Sequence, residues 1–231
     1  RVMLKPSEFT PACAAAMREM LEQLFRPSEV AVVEGGPEVG ADFAALPFDH
    51  LFFTGGTEVG RKVMQAAAAN LTPVTLELGG KSPAIIAPEA DMEAAAGSIA
   101  FGKLVNGGQT CIAPDYALVP TARLDAFCEA MQAAARALYP GGTADENLTG
   151  PIHNRHATRL ATMAEDATSR GGRLIPLLEG DETPGGPALV LDVTDEMQVM
   201  SEEIFGPLLP VIPYDGIDEA IARINARPRP L

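Results

Sequence analysis

Over residues 1–80 the chain alternates short apolar runs with helix-forming stretches, and this alternation constrains its fold more than any other feature. Residues 2–4 read as a strand. Thr10-Pro11 follows as N-cap and first helical position, opening an Ala-rich helix that runs to about Phe25. Apolar runs at 30–33 and 51–54, a helix over 57–69 that Asn70 and Pro73 end, and a strand over 74–78 continue the pattern. Parallel strands need a crossover, usually a helix, so elements of this length predict a mostly parallel, doubly wound α/β sheet.

The pattern restarts beyond Gly79-Gly80. Asp91 reads as the N-cap of a helix to about Val105, followed by the Gly-rich segment from Asn106 to Cys111. A strand at 116–119, helices at 124–138 and 154–169, strands near 173–178, 187–191 and 208–212, and a helix from about 217 complete the reading. The expected domains are therefore 1–79 and 80–231, with no internal repeat. A chain of 231 residues that is 47% hydrophobic can bury a sizeable core. Its formal charge of −14 repels a phosphate backbone, which argues against nucleic acid. No apolar stretch approaches the ~20 residues of a membrane-spanning helix, and no signal-peptide pattern opens the chain, so a cytoplasmic protein is expected. Cys13, Cys111 and Cys128 are scattered and form no CxxC pair, which argues against a disulfide framework or a metal site. The chain opens in an apolar run without an initiator Met and closes on Arg227-Pro228-Arg229-Pro230-Leu231, so an internal segment of a longer protein is expected.

Four stretches carry candidate chemistry. The turn Thr54-Gly55-Gly56-Thr57 sits between strand and helix, where exposed N–H groups at the positive helix end suit a pyrophosphate. Its spacing is not GxGxxG, and the glycines can equally serve a tight turn. Lys5-Pro6-Ser7-Glu8 lies at the carboxyl end of the first strand, where open α/β sheets bind ligands; it is either a ribose-gripping pair or a solvated loop. Glu77 stands among apolar neighbours at a strand end before two glycines. Desolvation there would raise its pKa toward that of a general base, while a surface-facing residue on an edge strand is the alternative. Cys111 lies in a glycine-rich loop that leaves its thiol reachable, and an ordinary thiol near pKa ~8.5 is already a few per cent nucleophilic thiolate. Cys13 and Cys128 lie within helices and read as small core residues.

Taken in order, Lys5–Glu8 (KPSE), Phe53–Gly60 (FTGGTEVG), Glu77–Pro83 (ELGGKSP), Gly108–Cys111 (GQTC) and Glu202–Pro207 (EEIFGP) resemble the aldehyde dehydrogenase superfamily, and the likeness covers essentially the whole chain. The stretch from Gly108 to Tyr116 is similar to the branch of coniferyl, fatty and aromatic aldehyde dehydrogenases. The resemblance implies part of a Rossmann-like cofactor domain followed by a catalytic domain. It implies NAD(P)-dependent oxidation of an aromatic or medium- to long-chain aldehyde. Cys111 would form a thiohemiacetal and then a thioester, and Glu77 would activate the hydrolytic water. It implies cofactor contacts at Lys5, Ser7, Glu8, Gly55, Gly56, Val59, Gly79, Glu203 and Phe205, with the last two on the nicotinamide side. Glu8 would repel a 2′-phosphate, which favours NAD over NADP. A homodimer or higher homo-oligomer is implied for the complete protein. His50, His153 and His156 match no family motif and read as surface or structural residues.

The chain also departs from the pattern. The family's oxyanion-hole Asn belongs to a Pro-Trp-Asn segment, and this chain has no Trp. Gly56 stands where Ser is commoner. A CoA-acylating relative and a catalytically silent fragment are the alternatives; Glu77 argues against the first, since such relatives commonly lack this base.

Overall fold

A computed structural model describes residues 1–180 and 183–231. Contacts within the chain divide it into two compact units, Arg1–Leu78 and Gly79–Leu231.

In the first unit β1 (Val2–Leu4) leads through α1 (Pro11–Leu24) to β2 (Val30–Val32), which pairs with β1 in parallel. After α2 (Pro37–Ala44), β3 (Leu51–Gly55) leads through α3 (Thr57–Ala68) to β4 (Val74–Leu78), again in parallel and in the register Thr54 opposite Glu77. Pro11 and Pro37 open their helices because a fixed φ suits a position whose N–H has no intrahelical partner. Thr10 does not cap α1 with its side chain, contrary to the expectation; its hydroxyl instead donates to the Ser7 carbonyl at 3.3 Å. Residues 37–44 were not expected to be helical. Eight residues between glycine-rich and Pro-containing turns span barely two helical turns, too few for a clear apolar period. Two side chains brace the second pair of strands: Asn70 Nδ2 donates to the Ala45 carbonyl at 2.7 Å and Thr72 Oγ1 to that of Phe48 at 3.0 Å.

The second unit contains β5 (Pro83–Ile85), α4 (Met92–Leu104), β6 (Tyr116–Pro120), α5 (Leu124–Leu138), α6 (Asn154–Ser169), β7 (Arg173–Pro176), β8 (Ala188–Leu191), α7 (Gln198–Ser201), β9 (Leu208–Tyr214) and α8 (Ile217–Asn225). Its five strands lie in the order β5-β6-β9-β8-β7. The first four are parallel, and β7 runs antiparallel to β8 as an edge strand. Every residue of β6 is buried, so its alternating side chains feed two cores. Ala117 and Val119 join Leu104, Phe127 and Met131 from α4 and α5 on one face. Tyr116 and Leu118 join Leu160, Met163 and Met200 from α6 and α7 on the other. Burying a side chain such as Leu118 contributes roughly 1.5–3 kcal/mol each, and helices on both faces make such burial possible along whole strands. Asp91 caps α4 by accepting from the Ala94 amide at 2.9 Å. Among the described residues no helix is long and apolar enough to cross a membrane.

Candidate active site

The Cys111 loop begins where α4 stops. Asn106 (φ 53°), Gly107 (φ 62°) and Gly108 (φ 74°) all take left-handed backbone and turn the chain sharply. Glycine is required twice for a second reason. A Cβ on Gly107 would lie 2.6 Å from the Thr149 carbonyl oxygen, and one on Gly108 would lie 2.3 Å from that of Gly206. Gln109 then staples the loop: its Nε2 donates to the carbonyls of Asn106 (2.9 Å) and Gly150 (3.1 Å), and its Oε1 accepts from the Ile152 amide at 2.8 Å. Asn106 Nδ2 closes the turn on the Gln109 carbonyl at 3.1 Å. Cys111 emerges exposed on this braced loop. Among the described residues no acceptor takes its backbone N–H.

The other two thiols differ. Cys128 is buried on α5, and burial pushes its thiol up, which makes it a poor nucleophile. Cys13 is exposed rather than in a core, correcting the sequence expectation: α1 buries only Ala14, so its neighbour faces outward.

Beside the Cys111 loop runs the segment 202–207. The contact that demands glycine at 108 is with Gly206, and a Cβ on Gly206 would in turn meet Leu160 of α6 at 2.3 Å. Glu203 comes so near Gly79 that a Cβ there would lie 2.0 Å from its Oε1. The Gly80 amide donates to the Glu203 carboxylate, yet burial is the larger influence and pushes Glu203 up, with Asp115 adding to it. Phe205 is held at φ 50°, an uncommon conformation for an aromatic residue.

Asp115, 3% exposed, organises this surround. It forms an ion pair with Lys81 and accepts the Ile204 amide at 2.9 Å. Lys81 also donates to the carbonyls of Val199 (2.7 Å) and Glu202 (3.0 Å). Lys103 is fully buried in the same neighbourhood; burial pulls its pKa down to about 8 against the upward influence of Asp115. Sequence reasoning quoted Lys81 and Asp115 within motifs without giving either a role. The signal was there in a charged residue inside an apolar run, which is costly unless paired.

The first unit carries the remaining candidates. A cavity of about 200 Å³ is lined by Pro6, Ser7, Glu8, Glu34 and Gly35 at the carboxyl ends of β1 and β2. Lys5 pairs with Glu8 at 3.5 Å and donates to the Pro6 carbonyl at 3.2 Å, so its ammonium is already engaged. Glu34, which sequence reasoning passed over, adds a second carboxylate to this rim. Of the three glycines in the β3–α3 turn, two are packing requirements. A Cβ on Gly55 would meet the Phe53 ring at 2.6 Å, and one on Gly60 would meet Leu78 at 2.8 Å. A Cβ on Gly56 would meet nothing within 4 Å, so the start of α3 is open at that point, with Val59 exposed on its first turn. Glu77 is exposed on β4, which is the surface-facing one of its two sequence readings. The reason is local: among the described residues β4 pairs with β3 alone, and Thr54 opposite Glu77 is exposed on the same face.

The whole chain, residues 1–231, matches the model of the aldehyde dehydrogenase family. It is 50% identical over 232 residues to a probable coniferyl aldehyde dehydrogenase of Pseudomonas aeruginosa, covering 100% of this chain and 49% of that protein. Against the coniferyl aldehyde dehydrogenase of Pseudomonas sp. (strain HR199) the identity is 45% over 238 residues, covering 100% and 50%. Among solved structures, substrate-bound AldH of Staphylococcus aureus superposes with a TM-score of 0.91 at 39% identity, covering 99% of this chain and 50% of that one. An aldehyde dehydrogenase of Mycobacterium tuberculosis complexed with NAD+ gives 0.83 at 36% identity, covering 95% and 47%. The chain thus spans about half the length of the curated relatives it matches.

Proposed function

The chain belongs to the aldehyde dehydrogenase family, and on that premise we propose that it oxidises an aldehyde to the carboxylic acid with Cys111 as nucleophile. The observation that carries the reading is the contact between the Cys111 loop and the 202–207 segment, which meet at Gly108 and Gly206 inside one unit. An exposed thiol and a half-buried carboxylate beside a Phe in left-handed backbone thereby lie on adjoining backbone.

The residues present fit a dinucleotide. Ser7, Glu8 and Glu34 line a cavity at strand carboxyl ends, where carboxylates can accept from ribose hydroxyls. Gly56 leaves the first N–H groups of α3 open to a pyrophosphate. Lys5, Gly55 and Val59 would border these two contacts, and Gly79, Glu203 and Phe205 would hold the nicotinamide side. The carboxylate of Glu8 favours NAD over NADP, since a 2′-phosphate beside it would be repelled.

Cys111 adds through its thiolate to the aldehyde carbonyl, and the resulting alkoxide is met by the free Cys111 N–H. When bound, NAD(P)+ supplies the acceptor for the hydride that leaves the thiohemiacetal carbon, and a thioester on Cys111 remains. Glu77 takes a proton from water, whose oxygen attacks the thioester and releases the acid and the thiolate. Its exposure on β4 leaves the carboxylate reachable by water. Ile112, next to the nucleophile and 72% exposed, offers an apolar contact suited to an aromatic or long-chain aldehyde such as coniferyl aldehyde.

The test is NADH formation by the full-length protein with NAD+ and either coniferyl aldehyde or a medium-chain aldehyde. Turnover that disappears in Cys111→Ser supports the reading; equal turnover in the variant, or none with either aldehyde, removes it.

A further inference from the structure

The segment that carries Glu203 and Phe205 is held by its own backbone, and the side chains that hold it come largely from α6. Arg159 donates from Nη1 to the Ile204 carbonyl at 2.8 Å and from Nη2 to the Glu203 carbonyl. His156, 9% exposed, holds the Phe205 carbonyl through Nε2 at 2.8 Å; the carbonyl can only accept, so Nε2 carries the proton. Three consecutive carbonyls are thus gripped from one helix face by residues three apart. The Ile204 amide within this stretch is taken by Asp115. Phe205 sits at φ 50° within this grip. A non-glycine residue persists in such a conformation only where its surroundings over-determine it.

We propose that Arg159 and His156 are positioning residues that fix the backbone of 203–205 so that the Glu203 carboxylate and the Phe205 ring face the nicotinamide half of the dinucleotide. The inference rests on the assignment of Glu203 and Phe205 given above. The guanidinium fork suits this role because it reaches two successive carbonyls in one fixed plane, which an ammonium cannot do. Arg159 also lies 3.8 Å from the Glu202 carboxylate, which steadies the fork without occupying its two terminal nitrogens.

Calorimetric titration of the full-length protein with NAD+, and with AMP as a probe of the adenosine half alone, separates the possibilities. Each lost charged hydrogen bond is expected to weaken NAD+ binding, so Arg159→Met should cost about tenfold in Kd. AMP binding and the rate of Cys111 alkylation by iodoacetamide should be unchanged. Arg159→Lys should recover only part of the loss, and His156→Leu should give a smaller loss of the same kind. The double variant Arg159→Met/Glu203→Gln should lose less than the product of the two single losses, because Arg159 acts in part through the Glu203 contact. NAD+ binding unchanged in both Arg159→Met and His156→Leu, AMP weakened in parallel, or losses that multiply in the double variant each overturn the positioning role while leaving Glu203 in place. Unaltered NAD+ binding in Glu203→Gln itself refutes the assignment beneath it, and the inference falls with it. Where Arg159→Met fails to fold, as judged by its thermal melt, His156→Leu and Arg159→Lys carry the same comparison.

Discussion

The two units are built from the same alternation of strand and helix, yet they bury very different amounts of it. In the second, helices cover both faces of a five-stranded sheet, and β6, β8 and most of β9 are buried along their length. In the first, the sheets are two pairs of strands, and among the described residues Ala14, Ala44, Leu51 and Ala67 are the buried apolar ones. Phe52, Met64 and Leu71 stand exposed there. Local propensity is therefore equal in the two units while tertiary cover is not. The charged groups follow the same division: Lys103 and Asp115 are buried in the second unit with Lys81 half-buried on Asp115, whereas the Lys5–Glu8 pair of the first lies at a cavity rim.

Four comparisons would break or sharpen this contrast. The largest effect is expected at the thiols: Cys111→Ser should lower turnover by at least about 10⁴-fold, while Cys13→Ser, on an exposed helix face of the first unit, should leave the rate as it is. Comparable losses in the two would mean that the braced loop confers nothing special on Cys111.

Next comes the buried ion pair. Lys81→Met leaves Asp115 buried without its cation and should destabilise the second unit by about 3–5 kcal/mol in denaturant unfolding. Lys5→Met removes a partly exposed pair, and a loss of less than about 1 kcal/mol is expected. Equal losses would erase the distinction between the two settings.

Lys103 gives a pH signature. Burial lowers its pKa to about 8, against an ordinary value of 10.5, so between those values the unfolded chain holds a proton that the folded chain has released. Stability from this group must therefore rise with pH across that window and be lowest below it. At about 1.4 kcal/mol per pH unit, the stability of the wild type relative to Lys103→Met should climb by roughly 3 kcal/mol between pH 8 and 10.5. A flat difference would place Lys103 in water.

The smallest effect is expected at Phe52. It is 65% exposed on β3, so Phe52→Ser should shift stability by no more than about 0.5 kcal/mol, whereas truncating an aromatic core residue costs about 3–5 kcal/mol. A loss of core size at Phe52 would show that its ring is covered in the full-length protein.

Much of this architecture was legible beforehand. The strands at 2–4 and 74–78, that at 116–119 to within one residue, and the helices at 124–138 and 154–169 announce themselves through apolar period, caps and prolines. β5 and α7 do not, because β5 begins on a proline directly after a glycine-rich segment and the four residues of α7 make barely one helical turn. Cys111 stood out by its glycines, which the structure requires for left-handed backbone and for the approach of Gly206. Cys13 was read as a core residue and is exposed, and of the two readings open for Glu77 the structure shows the surface-facing one. An apolar sequence neighbourhood predicts burial only on the face that another element covers; α1 turns Ala14 rather than Cys13 to that face, and Glu77 is the exposed residue of an otherwise half-buried β4.

What the sequence determined by itself was the kind of element over most of the chain, the division of period between strand and helix, and the five motifs that place the chain in its family. These depend on neighbours within a few residues, where backbone sterics and side-chain spacing act directly. The tertiary structure alone decided which charges meet. Lys81 finds Asp115 across 34 residues, Arg159 reaches the Ile204 carbonyl across 45, and His156 reaches that of Phe205 across 49. Such partners are chosen by the cost of burying a polar group unpaired, a cost that exists only once the sheet has closed around it.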